Sequence, residues 1–174
     1  MHPIDNYIRT IPDFPEEGIM FRDITTVTQD PDGFKLAVDS MQELIEDLDF
    51  DVLVGVEARG FIFGAAIAYN MGKSLSLIRK KGKLPFETIS QDYDLEYGTA
   101  TVEMHVDAIK PGQKVIIIDD LIATGGSAKA AIDIVEQLGA EVVGNLFLVE
   151  LKGLNGRAKL EGYRVDSVIA YEGK

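Results

Sequence analysis

The sequence predicts an α/β fold, in which a twisted, mainly parallel sheet is flanked by helices within a single domain of 174 residues. Two observations lead to this prediction. Segments rich in β-branched residues alternate along the chain with segments whose apolar residues recur at helical spacing. In addition, the strand-like residues 52–56 and 115–118 include no polar residue, which is typical of strands covered on both faces.

Local signals define the individual elements. Asp30 and Pro31 open a helix, because proline is tolerated in a first helical turn, and Gly72 and Gly139 end two others. In chain order we predict a helix at residues 31–48, a strand at 52–56, a helix at 61–71, buried or half-exposed strands at 75–78, 100–106 and 115–118, a helix at 127–138, and strands at 142–149 and 165–170. Glu103 and His105 lie on the polar face of their strand, so we expect them to face solvent.

Two segments are predicted to be irregular. Residues 13–25 are interrupted by proline and glycine, and residues 79–97 are polar and longer than an ordinary connection. Long connections of this kind are often functional or mobile.

Composition excludes several classes of protein. The net charge of -12 argues against a general nucleic-acid binder and against docking on anionic lipid. The absence of cysteine excludes disulfides, cysteine-ligated zinc and a cysteine nucleophile. Met1 is not followed by a secretory signal, and the longest apolar run, residues 61–68, is too short to cross a bilayer. We therefore expect a cytoplasmic protein with no membrane or nucleic-acid partner.

The segment after the strand at 115–118 carries the most information about chemistry. Asp119 and Asp120 stand where ligands of parallel sheets bind, and carboxylates there can accept hydrogen bonds from ribose hydroxyls. The next residues are small, rich in glycine and open a helix, so their N–H groups favour a phosphate. Thr124 and Ser127 are expected to add hydroxyl groups and to cap the helix. The chain has neither a Walker A motif nor G-x-G-x-x-G, so nucleoside triphosphatase and dehydrogenase functions lose their main support.

Residues 115–127, Val-Ile-Ile-Ile-Asp-Asp-Leu-Ile-Ala-Thr-Gly-Gly-Ser, closely resemble the 5-phosphoribosyl 1-pyrophosphate (PRPP) signature of type I phosphoribosyltransferases. The resemblance implies that Asp119 and Asp120 hold the ribose hydroxyls. It implies a site for the 5′-phosphate made by Ala123, Thr124, Gly125, Gly126 and Ser127. It also implies the type I phosphoribosyltransferase fold, with a small N-terminal hood at about residues 1–30 and a flexible loop at about residues 79–104.

Three further parts of the chain resemble the adenine phosphoribosyltransferases within that family. Residues 14–25 are similar to their hood, residues 55–61 to their pyrophosphate loop, and residues 78–85 with 93–98 to their flexible loop. The resemblance implies an enzyme of purine salvage that transfers the phosphoribosyl group from PRPP to adenine, giving AMP and pyrophosphate. It also implies a homodimer, with residues 79–84 near the interface.

The resemblance implies roles for the remaining candidate residues. Glu96 is the expected catalytic residue, closing over the site with the flexible loop. Phe21 and Leu121 are expected to sandwich adenine, while backbone groups of Met20 and Arg22 read its edge. The residues expected to bind pyrophosphate are Arg59, Arg79, Lys80, Lys83 and Tyr97. The peptide Glu57–Ala58 is expected to be cis. Mg²⁺ is the expected cofactor, held mainly by substrate oxygens and water rather than by a dedicated protein site.

Two alternatives stay open from the sequence. One is a phosphoribosyltransferase for a 6-oxopurine such as xanthine or guanine, against which the hood at residues 14–25 argues. The other is a PRPP-sensing regulator without catalysis, although such proteins usually add a DNA-binding domain. Measuring product formation from each base would distinguish a 6-oxopurine enzyme from an adenine enzyme. PRPP binding without AMP formation would identify the regulator.

Overall fold

The computed structural model describes residues 1–95 and 97–173 of the chain. Within these ranges, the long helices and the strands of the main sheet follow one another in the order that the sequence predicts. The α-helices are α1 (Thr25–Gln29), α2 (Pro31–Glu43), α3 (Arg59–Met71) and α4 (Gly126–Gln137). The strands are β1 (Arg9–Pro12), β2 (Met20–Asp23), β3 (Val52–Val56), β4 (Ser74–Lys80), β5 (Thr88–Leu95), β6 (Gly98–His105), β7 (Lys114–Ile122), β8 (Glu141–Leu151) and β9 (Val165–Tyr171). Short 3₁₀ helices span Pro3–Tyr7, Lys152–Leu154 and Gly156–Leu160.

Among the described residues, seven strands form one sheet in the order β5-β6-β4-β3-β7-β8-β9. Neighbouring strands from β4 to β9 in this order are parallel, whereas β6 runs antiparallel to β4, and β5 to β6. The predicted mainly parallel α/β sheet is therefore confirmed. β1 and β2 form a separate antiparallel hairpin at the N-terminal end.

Strand β7 is buried on both faces, as its apolar run predicts. Ile116 and Ile118 pack into a core with residues of α2 and α3, whereas Val115 and Ile117 pack into a second core with residues of α4. All four side chains are fully buried. The alternation of side chains along the strand thus places helices on opposite faces of the sheet. No helix in the described part of the chain is long and apolar enough to cross a membrane.

The predicted ends of two helices are confirmed by their caps. The Asp30 carboxylate accepts hydrogen bonds from the backbone N–H groups of Asp32 and Gly33, and Pro31 occupies the first turn of α2. Helix α3 ends at Gly72, whose φ of 64° lies in the left-handed region that glycine enters most readily. Both caps follow from the residue type at the helix end itself, a carboxylate at Asp30 and a glycine at Gly72.

The prediction that residues 13–25 and 79–97 are irregular was partly wrong. In the first segment, β2 pairs with β1, which lies just before residue 13. In the second, β4 continues to Lys80, and β5 pairs along its whole length with β6. β5 is an edge strand with every described residue at least partly exposed, so it shows no apolar pattern.

Burial predictions for β4 and β6 also need correction. Residues 75–78 were expected to be buried, but of these only Ile78 is, and the Leu77 side chain is exposed. On β6, Glu103 was expected in solvent but is 8% exposed, and its carboxylate accepts a hydrogen bond from the Gly82 N–H. His105 is half-buried, with Nε2 accepting from the Phe86 N–H. The turn that joins β4 to β5 folds over this face of β6 and covers it.

Candidate active site

The carboxyl ends of β3, β4 and β7 meet at one edge of the sheet. Val56 pairs with Ile78, and Gly55 pairs with Ile118, so the segments that follow these strands emerge side by side. Each carries predicted site residues. The peptide Glu57–Ala58 after β3 is cis, as expected from the resemblance of residues 55–61. This edge is where ligands of parallel α/β sheets bind.

The glycine-rich loop after β7 is shorter than the sequence predicts. β7 continues through Asp119 and Asp120 to Ile122, and α4 begins at Gly126. Gly125 caps the helix in a left-handed conformation with φ 81°, and no side chain donates or accepts a capping bond. The expectation that Thr124 or Ser127 caps α4 was therefore wrong. The glycine leaves the first N–H groups of the helix available to a ligand.

A cavity of about 210 Å³ lies over this loop. All five residues predicted to bind the 5′-phosphate line it, and so does Leu121. Tyr93 and Leu95 of β5 and Phe147 of β8 complete the walls. Tyr93 has no role in the sequence-based predictions, yet its ring lies 3.1 Å from where a Cβ at Gly126 would stand. Tyr93 and Gly126 are far apart in the sequence, so the sequence alone does not predict this contact.

The acidic pair on β7 is held by Arg59. Arg59 Nε donates a hydrogen bond of 2.5 Å to Asp120 Oδ2, and the Asp120 N–H donates to Asp119 Oδ1 at 2.8 Å. Burial, together with the adjacent Asp120 carboxylate, raises the pKa of Asp119 well above its usual range. The Arg59 guanidinium supplies a positive charge beside Asp120 and opposes only part of the rise in the pKa of Asp119.

Gly60 brings the start of α3 close enough for this contact. A Cβ at Gly60 would lie 2.6 Å from the carbonyl oxygen of Ile118 and 3.1 Å from the Asp119 Cα. Such a distance is too short for any side chain, so glycine is required where the helix meets β7. Because Arg59 directly precedes Gly60, the close approach sets its guanidinium beside the acidic pair.

A second cavity of about 340 Å³ lies between the hood and α3. Phe14 and Phe21 form part of its wall, with ring centroids 5.2 Å apart in an edge-to-face arrangement. Its other lining residues are Ile11, Arg22, Asp23, Ile24, Thr25 and Arg59. Arg59 thus lines this second cavity, which we call the aromatic cavity. Its guanidinium also donates to Asp120 on the strand that leads to the phosphate loop. Asp120 directly precedes Leu121, which lines the first cavity, so Arg59 links the second cavity to the strand that borders the first.

The predicted adenine-binding residues divide between the two cavities. Phe21 and Arg22 line the aromatic cavity, whereas Leu121 lines the cavity over the glycine-rich loop. Met20 is 40% exposed and lies outside the walls of both. In this structure, therefore, Phe21 and Leu121 do not face each other across one cavity.

The Arg22 side chain anchors the hood to the sheet. Its guanidinium lies 3.8 Å from the centroid of the Tyr171 ring, and Nη1 donates to Thr10 Oγ1. The Tyr171 hydroxyl in turn donates to Asp5 Oδ1. These contacts fix β2 against β9, so the backbone around Phe21 has a defined position beside the aromatic cavity.

The basic turn, defined here as residues 79–83, is organised by Glu57. The Glu57 carboxylate accepts hydrogen bonds of 2.8 Å from Lys83 Nζ and from the Lys80 N–H, and Arg79 Nε lies 3.4 Å away. Burial opposes ionisation of Glu57, but the bonds from Lys83 and Lys80 outweigh it and lower its pKa to about 2. The sequence did not indicate this role, because Glu57 and Lys83 are far apart along the chain.

Of the candidate residues at the tip of the β5–β6 hairpin, Tyr97 lines neither cavity. Tyr97 is 85% exposed. Glu96, the expected catalytic residue, lies outside the described residues. The hairpin itself approaches the site through Tyr93, which packs against the start of α4.

Comparison with known proteins identifies a family for this arrangement. Residues 23–174 match the family model described as phosphoribosyl transferase domain. The adenine phosphoribosyltransferase of Agathobacter rectalis is 62% identical over 174 residues, covering all of both chains. The crystal structure of the Thermoanaerobacter pseudethanolicus adenine phosphoribosyltransferase is similar with a TM-score of 0.93 and 48% identity, covering 97% of this chain and 98% of that one.

A more distant structure shares the same fold. The adenine phosphoribosyltransferase of Saccharomyces cerevisiae, in a complex that contains adenine, has a TM-score of 0.89 and 39% identity, covering 95% of this chain and 96% of that one. Family model, full-length relatives and solved structures agree. The chain belongs to the phosphoribosyltransferases and, within them, to the adenine phosphoribosyltransferase family.

Proposed function

We propose that this chain transfers the 5-phosphoribosyl group of PRPP to adenine, giving AMP and pyrophosphate. One observation carries the proposal: Arg59 lines the aromatic cavity and also donates to Asp120, so one side chain links the proposed base site to the proposed ribose site. A nucleoside monophosphate needs these two sites side by side. The names of the full-length relatives at 62% identity support the same reaction.

The ribose-phosphate end of PRPP would bind at β7 and the loop after it. Asp119 and Asp120 would accept hydrogen bonds from the two ribose hydroxyls, replacing part of the contact between Asp120 and Arg59. The 5′-phosphate would occupy the cavity over residues 123–127, where the N–H groups at the start of α4 and the hydroxyls of Thr124 and Ser127 can donate to it. The phosphate would thereby accept hydrogen bonds from N–H groups that no side chain caps.

The diphosphate would lie between Arg59 and the basic turn. Arg59, Arg79, Lys80 and Lys83 supply its cationic contacts, and Tyr97 would approach from the hairpin tip. Glu57 supports this assignment, because its carboxylate holds the turn beside the cis peptide that precedes Arg59. A turn positioned in advance loses less conformational entropy when the anion binds.

Adenine would occupy the aromatic cavity. Phe21 would stack on the ring, and the backbone of Met20 and Arg22 would read its edge, with β2 held by the contacts of Arg22. Leu121 would form the other side of the sandwich, which requires a shift of β7 or of the hood from the arrangement described above. Backbone donors and acceptors can discriminate the 6-amino group from a 6-oxo group, since the wrong base leaves buried groups unpaired.

In the reaction, an imidazole nitrogen of adenine attacks the anomeric carbon as the bond to the diphosphate breaks, and the ring gives up its N–H proton to Glu96 or to water. Positive charge develops on the ribose ring, and negative charge on the leaving group is met by Arg59 and the basic turn. Glu96 would act at the base or at the ring charge, with the hairpin excluding water that could hydrolyse PRPP. Residues 79–104 would be the segment that closes.

Mg²⁺ fits the donor set of this site as an ion carried by the substrate. In the described ranges no three acidic or histidine side chains cluster as a metal site. The carboxylates of Asp119 and Asp120 are oxygen ligands of the kind that Mg²⁺ accepts, and diphosphate oxygens and water would complete its shell. When bound, the ion would neutralise charge on the leaving diphosphate.

We propose one catalytic domain over residues 1–174, with residues 1–30 as the hood, working as a homodimer in the cytoplasm without membrane or nucleic-acid partners. The net charge of -12 supports the last part. Exposed Ile62 and Tyr69 on α3 and Leu77 on β4 offer apolar surface for a second copy.

An assay of product formation tests the proposed function. Purified protein, PRPP and Mg²⁺ are incubated separately with adenine, hypoxanthine, guanine and xanthine, and nucleotide and pyrophosphate are both quantified. We expect AMP and pyrophosphate in equal amounts from adenine and far slower product formation from the three 6-oxopurines. Preference for a 6-oxopurine would identify the alternative enzyme, and PRPP binding without nucleotide would identify a sensor.

A further inference from the structure

The 3₁₀ helix Gly156–Leu160 packs directly against the phosphate loop, although no predicted site residue lies on it. A Cβ at Gly156 would stand 2.4 Å from the Ala123 carbonyl oxygen and 3.1 Å from the Gly125 nitrogen. Conversely, a Cβ at Gly125 would stand 2.5 Å from the Gly156 carbonyl oxygen. The two backbones are therefore in contact without intervening side chains, and this helix forms an outer wall of the loop.

Strong contacts hold this wall to the sheet. Arg157 donates to both carboxylate oxygens of Glu150 at 2.7 Å and, through Nη1, to the Val165 carbonyl oxygen at 2.7 Å. A two-pronged arginine–carboxylate contact restricts direction as well as distance. Leu160 at the other end of the helix is fully buried in the core that includes α4. Residues between these anchors thus have a defined position relative to the loop.

Lys159 lies between the anchors and points to the start of α4. Its Nζ is 3.9 Å from where a Cβ at Gly126 would stand, and Gly126 lines the cavity over the loop. Among the described residues no carboxylate forms an ion pair with Lys159. A cation beside a helix N-terminus is unfavourable by itself, because the helix dipole is positive there. The arrangement becomes favourable when an anion binds between them.

We infer that Lys159 is a further binding residue of the phosphate site, donating from its ammonium group to the 5′-phosphate of PRPP and of AMP. The inference rests on the proposed function. It adds a cationic side chain from outside residues 115–127 to a site otherwise made of backbone N–H groups and hydroxyls. The ligand class is a ribose 5-phosphate ester, and the contact ends at its phosphoryl oxygens.

A comparison of AMP with adenosine tests this contact, because the two ligands differ only in the phosphate. Dissociation constants of both are measured by titration calorimetry for wild type, Lys159→Gln, Lys159→Arg and the control Lys152→Gln. Lys152 is an exposed lysine that, like Lys159, lies in the connection between β8 and β9. Its ammonium group contacts Glu172 instead of the phosphate loop. We expect Lys159→Gln to weaken AMP binding about tenfold and to leave adenosine binding unchanged. Lys159→Arg should retain most of the AMP affinity, and Lys152→Gln all of it.

Three results would overturn the inference. Unchanged AMP affinity in Lys159→Gln would show that the ammonium does not contact the phosphate, and equal weakening of AMP and adenosine would show a structural role. A loss of AMP affinity in Lys152→Gln equal to that in Lys159→Gln would indicate only a general charge effect. If wild type binds no AMP and forms none from adenine and PRPP, the proposed function itself fails, which the activity assay registers separately.

Discussion

Replacing Glu57 by glutamine tests how much the site depends on the carboxylate beneath the basic turn. Burial opposes ionisation of Glu57, yet hydrogen bonds from Lys83 and Lys80 lower its pKa from 4.5 to about 2. A change of that size corresponds to about 3 kcal/mol in favour of the ionised form. Because the Lys83 side chain is half exposed, solvent screens part of this attraction. We expect Glu57→Gln to lower the free energy of unfolding by about 1–2 kcal/mol at neutral pH.

The pH dependence of this loss has a definite sign. Since folding lowers the pKa of Glu57, its contribution is complete above pH 4.5 and is lost as the pH falls towards about 2. Urea unfolding of wild type and Glu57→Gln at a series of pH values measures it, with Asp39→Asn as the control. Asp39 forms an exposed ion pair with Lys35, and its replacement should leave stability unchanged.

The same variant has a kinetic consequence. Without the carboxylate, the basic turn is no longer held beside Arg59, so we expect the KM for PRPP to rise while the KM for adenine stays the same. Equal stability of Glu57→Gln and wild type at neutral pH would refute the electrostatic reasoning. So would a stability difference that does not shrink as the pH is lowered from about 5 to about 3.

Three further predictions concern the loop, the hairpin and the metal. Gly125→Ala should destabilise the protein by at least about 1 kcal/mol more than Gly112→Ala, measured by urea unfolding. Both glycines have a φ above 80°, but only at Gly125 would the new Cβ meet backbone, 2.5 Å from the Gly156 carbonyl oxygen; equal losses would contradict the close approach. Glu96→Gln should lower kcat while the dissociation constant of AMP stays near that of wild type, and unchanged kcat would exclude a catalytic role. Chelation by EDTA should abolish turnover in steady-state assays, and Mg²⁺ should restore it; full activity in EDTA would exclude a metal requirement.

The sequence predicts the elements whose burial is uniform along the strand. β3 and β7 are apolar on both faces, so their existence and central position follow from residues 52–56 and 115–118 alone. The rule that ligands bind beyond the carboxyl ends of parallel strands then locates the site near Glu57, the basic turn and Asp119. The structure places these segments together, as expected.

Elements stabilised by pairing rather than by burial were missed. β5 is polar and exposed, and its strand conformation is stabilised by backbone hydrogen bonds to β6. Such bonds impose no apolar pattern on the side chains, so the sequence does not indicate the strand. β1 and β2 have four residues each, too short for periodicity to register. In each case the physical cause of the strand lies in a partner that the local sequence does not contain.

The specific contacts within the site were also beyond sequence reasoning. The bond between Arg59 and Asp120 joins residues 61 positions apart, and that between Glu57 and Lys83 joins residues 26 apart. The order of strands predicts neighbouring loops but not which cation meets which carboxylate. The position of Leu121 is equally hard to predict. The sequence does not show how far β7 extends before the loop, and this extent decides which cavity the Leu121 side chain lines.

The central claim is that the aromatic cavity and the phosphate loop form one site for AMP. Dissociation constants of AMP and adenosine for wild type, Phe21→Ala and Thr124→Val test it most directly. We expect Phe21→Ala to weaken both ligands, because it removes the stacking surface, and Thr124→Val to weaken AMP alone, because it removes a hydroxyl donor to the phosphate. AMP affinity that responds to only one of the two substitutions would contradict a site that spans both cavities.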